Sequence, residues 1–372
     1  MSDVIIIGGG LAGLTSSILL GRHGLKVTLL EKGIYPNHKV CGEYVSNEVI
    51  PFLKSHDLFP AEIEPVPISK FQLTAINGDS IHTNLDLGGF GISRYQFDKF
   101  LAKKATDSGV EVFTNTKVEH LQYIDEQHLV QVKGGRQFIA PLLIAAHGKR
   151  SNLDHNLSRS FIQKRSPYVG IKYHLKADLP DDLISLHNFR GGYGGISRIE
   201  DKKFNFCYLV HRDQLRKYGN VPLMEEKVLA ENPHLRQLFN QAEILFDKPM
   251  VINEITFEKK EAVHNHILMA GDSAGMITPL CGNGMAMAIH SGKMAAEAII
   301  KYYSQQGFDR NHLENEYRNA WEKAFLLRLK VGRATQRLFG SEFTSNLAVQ
   351  ITRNIKPLFR LIVKNTHGQP FK

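Results

Sequence analysis

The sequence predicts an α/β protein: a Rossmann-type dinucleotide-binding domain, an antiparallel β-sheet second domain and a helical C-terminal cap. Three observations predict it. The apolar run Val4-Ile5-Ile6-Ile7 leads directly into Gly8-x-Gly10-x-x-Gly13 and then into a helical pattern. A block from about 168 to 260 alternates apolar and polar residues with the period of two expected of half-buried strands. The residues beyond 300 return to helical spacing.

Composition narrows the class further. A chain of 372 residues and 41.9 kDa has the length for two or three domains. Hydrophobic residues at 42% and charged residues at 22% exclude a disordered chain. Three cysteines exclude a disulfide scaffold and suit a reducing, cytoplasmic setting. The first residues carry no basic segment and only a short apolar run, so no signal peptide is expected. No apolar run approaches the roughly 18 residues that a membrane span requires. The net charge of +9 is local: residues 301–372 hold thirteen Lys/Arg against five Asp/Glu. The main fold is therefore nearly neutral, which argues against a nucleic-acid partner.

In chain order, Val4 to Ile7 reads as a buried strand. The helix after it has Leu11, Leu14, Ile18 and Leu19 on one face and closes at Gly24. Lys26 to Leu30 is a second strand, ending at Glu31. Residues 35–47 read as a loop entering a helix. Pro60, Pro65 and Pro67 interrupt the chain before the alternation Phe71, Leu73, Ala75, which suggests antiparallel strands. Tyr95 to Ser108 reads as a helix, and strands follow near Val110–Phe113, Val118–Tyr123, Val130–Val132 and Leu142–Ala146. In the alternating block, strands are expected at Tyr168–Ala177, Leu183–Phe189, Gly194–Ile199 and Phe204–Val210. A flexible Gly191–Gly195 link and a helical insert near 222–241 complete it. Ile267–Ala270 is a further buried strand, and a small-residue helix runs from about Met285 to Ile300. These elements divide the chain into a first domain of 1–66, 90–166 and 256–300, a second of 67–89 and 167–255, and a basic helical segment of 301–372.

The first glycine cluster has the context that its chemistry needs. Gly8 makes the tight turn, Gly10 lets backbone approach a diphosphate, and Gly13 lets helix and strand pack closely. The N–H groups of Leu11 and Ala12 lie at a helix N-terminus, where an anion is favoured. Glu31 stands 18 residues beyond Gly13, beside Lys32, where a carboxylate accepts from ribose hydroxyls. An acid there disfavours a 2′-phosphate, so FAD or NAD is expected rather than NADP.

A second cluster distinguishes these two. Gly271-Asp272 ends a strand, and Pro279-x-x-Gly282-Asn283-Gly284-Met285 opens the next helix. Asp272 at a strand tip is suited to a polyol hydroxyl. The backbone from Gly282 to Met285 is suited to the electron-rich edge of a ring.

With these blocks in order, and with Ile92-Ser93-Arg94-Tyr95-Gln96-Phe97-Asp98 between them, the sequence resembles the FAD-dependent aromatic-hydroxylase and geranylgeranyl-reductase superfamily. That resemblance implies the p-hydroxybenzoate hydroxylase fold, in which the FAD-binding domain is glutathione-reductase-like. It also implies that Asp272 contacts the ribityl or diphosphate part of FAD and that Arg94 reaches the phosphate side. The backbone near Val118 would meet the adenine, and Gly284-Met285 the isoalloxazine edge. Lys39-x-Cys41-Gly42 looks like the Lys-x-Cys-Gly motif of the reductases, which lies close to the flavin. Cys281, in the other flavin loop, would be a redox partner for Cys41 or a packing residue.

The sequence also departs from the superfamily. Its middle motif, Asp-Gly-x-x-Ser-x-x-Arg, is here His147-Gly148-Lys149-Arg150-Ser151-Asn152-Leu153-Asp154. No second strand–GxGxxG–helix unit exists, so NAD(P)H binds transiently or a reductase partner supplies the electrons. The reductases' Tyr-x-Trp-x-Phe-Pro survives only as Tyr193, and the single tryptophan, Trp321, excludes the halogenase motif. Gly271-x-Ser273-x-Gly275 imitates a nucleophile elbow without an oxyanion segment. His264-x-His266 lacks a third metal ligand.

From Asn346 to Lys364, Leu347, Ile351, Ile355, Leu358 and Ile362 recur at helical spacing beside Arg353, Lys356, Arg360 and Lys364. Such a basic amphipathic helix packs on the body, covers a pocket or makes peripheral membrane contact. The function implied is that of an FAD-dependent monooxygenase, oxygenating a small hydrophobic substrate through a flavin C4a-hydroperoxide, with no protein catalytic residue named. The alternatives are reduction of C=C bonds in an isoprenoid or polyketide, and a flavoprotein maturation factor acting on a protein partner.

Overall fold

Val4–Ile7 is apolar at every position and buried on both faces, as a central parallel strand must be. In the computed structural model, which describes residues 1–164, 166–336, 339–341 and 367–372, it lies inside a six-stranded sheet. The sheet order is Val263–His264, Ile267–Met269, Leu142–Ala145, Val4–Ile7, Val27–Leu30 and Glu111–Phe113. All its pairs are parallel except the first. Val4–Ile7 has its sequence neighbour Val27–Leu30 on one side and the distant Leu142–Ala145 on the other. Its C-terminal end is therefore a topological switch point, where open α/β sheets bind ligands.

The helix Leu11–Arg22 is buried all round from Leu11 to Leu20, not along one stripe. The long helix Gly284–Ser304 covers it closely: a Cβ on Gly292 would lie 2.4 Å from the Ala12 carbonyl oxygen. The helix Arg94–Asp107 is capped by the Ser93 side chain, which accepts from the Gln96 N–H. Val118–Ile124, Gln127–Val132 and Gln137–Ala140 form a separate antiparallel sheet of three strands.

A nine-stranded sheet carries the alternating block. Tyr168–Lys176, Phe204–His211, Gly192–Arg198 and Leu183–Phe189 pair antiparallel in that spatial order. The sheet is mostly antiparallel, as expected, with one parallel pair between Leu183–Phe189 and Val66–Thr74. Two expectations change here. The glycines after Gly191 are strand residues rather than a flexible link: a Cβ on Gly194 would lie 2.8 Å from the Phe206 ring. Residues 35–47 also differ from a plain loop, because Tyr44–Ser46 pairs with Gly89–Gly91 at the edge of this sheet. That pairing anchors the chain just after the Lys39–Gly42 turn on the nine-stranded sheet.

The helix Arg310–Gln336 buries Leu313, Tyr317, Trp321, Phe325 and Leu329, a fourfold spacing that lays one stripe on the main core. The amphipathic stretch between Asn346 and Lys364 lies outside the described residues. Among the described residues, no helix is long and apolar enough to cross a membrane.

Candidate functional site

The glycine turn is built by close approach. Gly8 has φ +100°, and a Cβ on Gly13 would lie 2.0 Å from the Gly8 carbonyl oxygen. Glu31 is nearly buried and ties this turn to the second strand. Its Oε2 accepts from the Gly9 N–H at 2.6 Å and its Oε1 from the Gly33 N–H at 2.9 Å. The Tyr35 hydroxyl donates to the Gly9 carbonyl at 2.7 Å. The helix that follows has Gly10 at its N-cap and no side-chain cap.

The second cluster has the same design. Gly271–Ser273 forms a short turn after the Ile267–Met269 strand, and the Ser291 hydroxyl accepts from the Gly271 N–H at 2.7 Å. Gly282 has φ +64°, and the helix Gly284–Ser304 starts at Asn283, again without a side-chain cap. Two helix N-termini with unclaimed N–H groups therefore open on one cavity.

That cavity has a volume of ≈ 240 Å³. Gly10, Leu11 and Ala12 border it from the first turn; Gly271, Asp272, Pro279, Gly282, Gly284 and Met285 border it from the second. Cys41, Gly42 and Arg94 border it as well. The far wall comes from the nine-stranded sheet and is largely apolar, with Phe71, Leu186, Tyr193 and Leu209.

The other expected residues stand outside the cavity wall. Gly8 and Gly13 form the turn behind it, and Lys32 is exposed. Lys39 pairs with Asp98 at 3.4 Å. Val118 is buried at the start of the three-stranded sheet. Asn283 is fully buried and hydrogen-bonds to Glu48. Arg94 reaches the cavity beside Gly10, while its Nε and Nη2 donate to Asp98 at 2.7 and 2.8 Å. Cys281 has its Sγ 3.3 Å from the Thr278 hydroxyl and packed against Gly332. Burial pushes its thiol up to about 11, which disfavours the reactive thiolate. Ser273 is fully buried on Gly148, and His264 and His266 bind Leu157 and Glu314 separately. Among the described residues no cluster could hold a metal ion.

The two departures in the middle motif meet each other. His147 Nε2 lies 3.1 Å from Asp154 Oδ1, and the buried Arg159 donates to the same oxygen at 3.1 Å. Burial would raise the Asp154 pKa, yet the His147 hydrogen bond and the Arg159 and Lys260 charges hold it below the usual carboxylate range.

Sequence reasoning missed the strongest electrostatic feature. Glu43, with φ +54°, is fully buried next to the Cys41-Gly42 turn. Its Oε1 lies 2.5 Å from Lys172 Nζ and 2.8 Å from the Arg94 N–H, and its Oε2 lies 2.7 Å from His174 Nε2. Burial would raise its pKa, but the Lys172 ammonium and the His174 hydrogen bond bring it below the ordinary value. The available signal was Lys172 and His174 on one face of an otherwise apolar strand.

Two uncapped helix ends, an acid bound to the first glycine turn and an adjoining apolar wall fit a flavin dinucleotide. Comparison with known proteins agrees. Residues 1–319 match the FAD binding domain family. The chain is 25% identical over 369 residues to Conditioned medium factor receptor 1 of Dictyostelium discoideum, covering 87% of this chain and 68% of that one. It is 25% identical over 380 residues to digeranylgeranylglycerophospholipid reductase of Methanococcus vannielii, covering 95% and 91%. The solved structure of a geranylgeranyl bacteriochlorophyll reductase-like protein from Thermoplasma acidophilum has the same fold. It superposes with a TM-score of 0.78 at 17% identity, covering 98% of this chain and 96% of that one. The chain belongs to the FAD binding domain family, within the superfamily of FAD-dependent aromatic hydroxylases and geranylgeranyl reductases.

Proposed function

We propose that the protein is an FAD-dependent monooxygenase acting on a small, largely apolar organic substrate. One observation supports this reading above the rest: a single cavity joins two uncapped helix N-termini to an apolar wall. In this reading 1–66, 90–166 and 256–300 hold the cofactor, and 67–89 and 167–255 hold the substrate.

The N–H groups of Leu11 and Ala12 bind the diphosphate, and Glu31, already fixed by Gly9 and Gly33, offers its remaining lone pairs to ribose. Asp272 takes a ribityl hydroxyl. The first turn of Gly284–Ser304 would hold the pyrimidine edge, and its N-terminal dipole would favour negative charge there. When bound, the flavin supplies the activation of O₂. The wall of Phe71, Leu186 and Leu209 excludes water and packs on the substrate. Electrons come from NAD(P)H bound transiently or from a reductase partner.

A second reading, reduction of a carbon–carbon double bond, is favoured by one observation: Cys41 and Gly42 of the reductase-like motif border the same cavity. Mixing the reduced, flavin-loaded protein with substrate tests both. Product one oxygen atom heavier, formed only with O₂, supports oxygenation. Anaerobic product two hydrogens heavier overturns it in favour of the reductase.

A further inference from the structure

Lys260 precedes the Val263–His264 strand and is 5% exposed. Its ammonium donates to the Lys149 carbonyl at 2.6 Å and to the Asp272 carbonyl at 2.7 Å, and it lies 4.3 Å from the centre of the Phe161 ring. Both acceptors are neutral. Among the described residues no carboxylate forms an ion pair with it. The other buried cations are different: Lys172 pairs with Glu43, and Arg159 with Asp154 and Glu261. Asp272 and Asp154 act on it through space, but a buried ammonium whose direct partners are all neutral is only partly compensated.

The two carbonyls belong to separate loops, and both Lys149 and Asp272 border the cavity. Lys260 therefore bridges the cavity's two rims from behind. Its ammonium is hydrogen-bonded to two residues that border the same cavity as Leu11 and Ala12 of one helix N-terminus and Gly284 and Met285 of the other. All three features have the same sign, and all favour a negatively charged occupant.

We infer that Lys260 is a positioning residue for an anionic dinucleotide, locking the Lys149 and Asp272 loops into one platform at the cavity's rim and adding positive charge to the field that a bound diphosphate would meet. The inference rests on the FAD reading above and adds a residue that acts through the two loops.

It carries a pH signature. Burial is the main influence on the ammonium and brings its pKa down to about 8, with Arg159 and Lys149 adding to the fall. Asp272 from the Gly271–Ser273 turn and Asp154 from the Asn152–Asn156 helix oppose it, and His147 faces it only through Asp154. A bound diphosphate would hold the proton on Lys260. Above pH 8, binding must therefore take up a proton from solvent, and affinity falls as pH rises.

FAD titration of the full chain, followed by flavin fluorescence at about pH 7 and about pH 9.5, tests this. The wild type should lose roughly tenfold in affinity between the two pH values. Lys260→Met should bind about tenfold more weakly at the lower pH and show no slope. Lys260→Arg stays charged throughout, so it should bind within about threefold of the wild type at the lower pH and also show no slope. If the wild type binds FAD but Lys260→Met matches its affinity, the inference is overturned and the FAD reading stands. If Lys260→Met does not fold, a wild-type slope in Lys260→Arg overturns it. A wild type that binds no FAD at either pH overturns the FAD reading and this inference with it.

Discussion

Glu43 and Lys172 meet at 2.5 Å with neither side chain exposed, across 129 residues of sequence. The pair fastens the Lys39–Gly42 turn to the strand Tyr168–Lys176 of the larger sheet. Removing one partner strands the other charge in the interior. Lys172→Met and Glu43→Gln should each lower stability by about 3–5 kcal/mol, read from urea unfolding. The Glu43 carboxyl is held below its ordinary 4.5, so its contribution is present above that pH and is lost as pH falls through the lower folded value. Acid should therefore shift the urea midpoint less in Glu43→Gln than in the wild type.

Gly13 leaves no room for a methyl group against the Gly8 carbonyl. Gly13→Ala should push helix and strand apart and misplace the Leu11 and Ala12 N–H groups. FAD affinity should drop by at least about tenfold, while the far-ultraviolet circular dichroism stays near that of the wild type. Unchanged FAD affinity would contradict the diphosphate site assigned to this turn.

Asp154 is an acceptor for His147 Nε2, Arg159 Nη1 and the Ser151 N–H. Its replacement by Asn leaves the fully buried Arg159 guanidinium with a neutral neighbour in place of a carboxylate. Asp154→Asn should cost about 3 kcal/mol. His147→Ala should cost about 1 kcal/mol, because it removes one hydrogen bond and leaves the Arg159 pair intact. Equal losses in chemical denaturation would show that the His147 and Arg159 contacts of Asp154 are not ranked in this way.

The Tyr193 hydroxyl donates to Gln336 Oε1 at 2.9 Å and accepts from the Leu280 N–H at 3.0 Å. It links the apolar wall, the second glycine loop and the end of the Arg310–Gln336 helix. Tyr193→Phe leaves the buried Gln336 side chain and the partly buried Leu280 N–H without that partner, at about 1–3 kcal/mol. Turnover with the substrate should fall more than FAD affinity does, since the change loosens the wall and leaves both helix N-termini in place. A larger loss in FAD affinity than in turnover would contradict that order.

The local determinants were legible in the sequence because each acts over a short span. A strand, a Gly8–Gly13 turn and a helix need only neighbouring φ/ψ angles and close packing, and they were found where expected. The same holds for Gly271–Met285, whose turn and helix start lie within 15 residues. Tertiary context overrode the local signal elsewhere. Gly191–Gly195 resembles a flexible link, but rings from adjacent strands fill the space beside Gly192 and Gly194. The parallel pairing of Val66–Thr74 with Leu183–Phe189 has no periodic signature at all.

The sequence by itself determined the nucleotide-binding half: the order of its strands, the two glycine loops and the acid at Glu31. These depend on backbone sterics and spacing, which a linear pattern records. Only the tertiary structure decided which charges are buried together. Glu43 finds Lys172 and His174, His147 finds Asp154, and Lys260 is left between two carbonyls. Each outcome depends on which segments exclude water from the same point; the local pattern, as at Lys172 and His174 on one strand face, signals a buried charge without naming its partner.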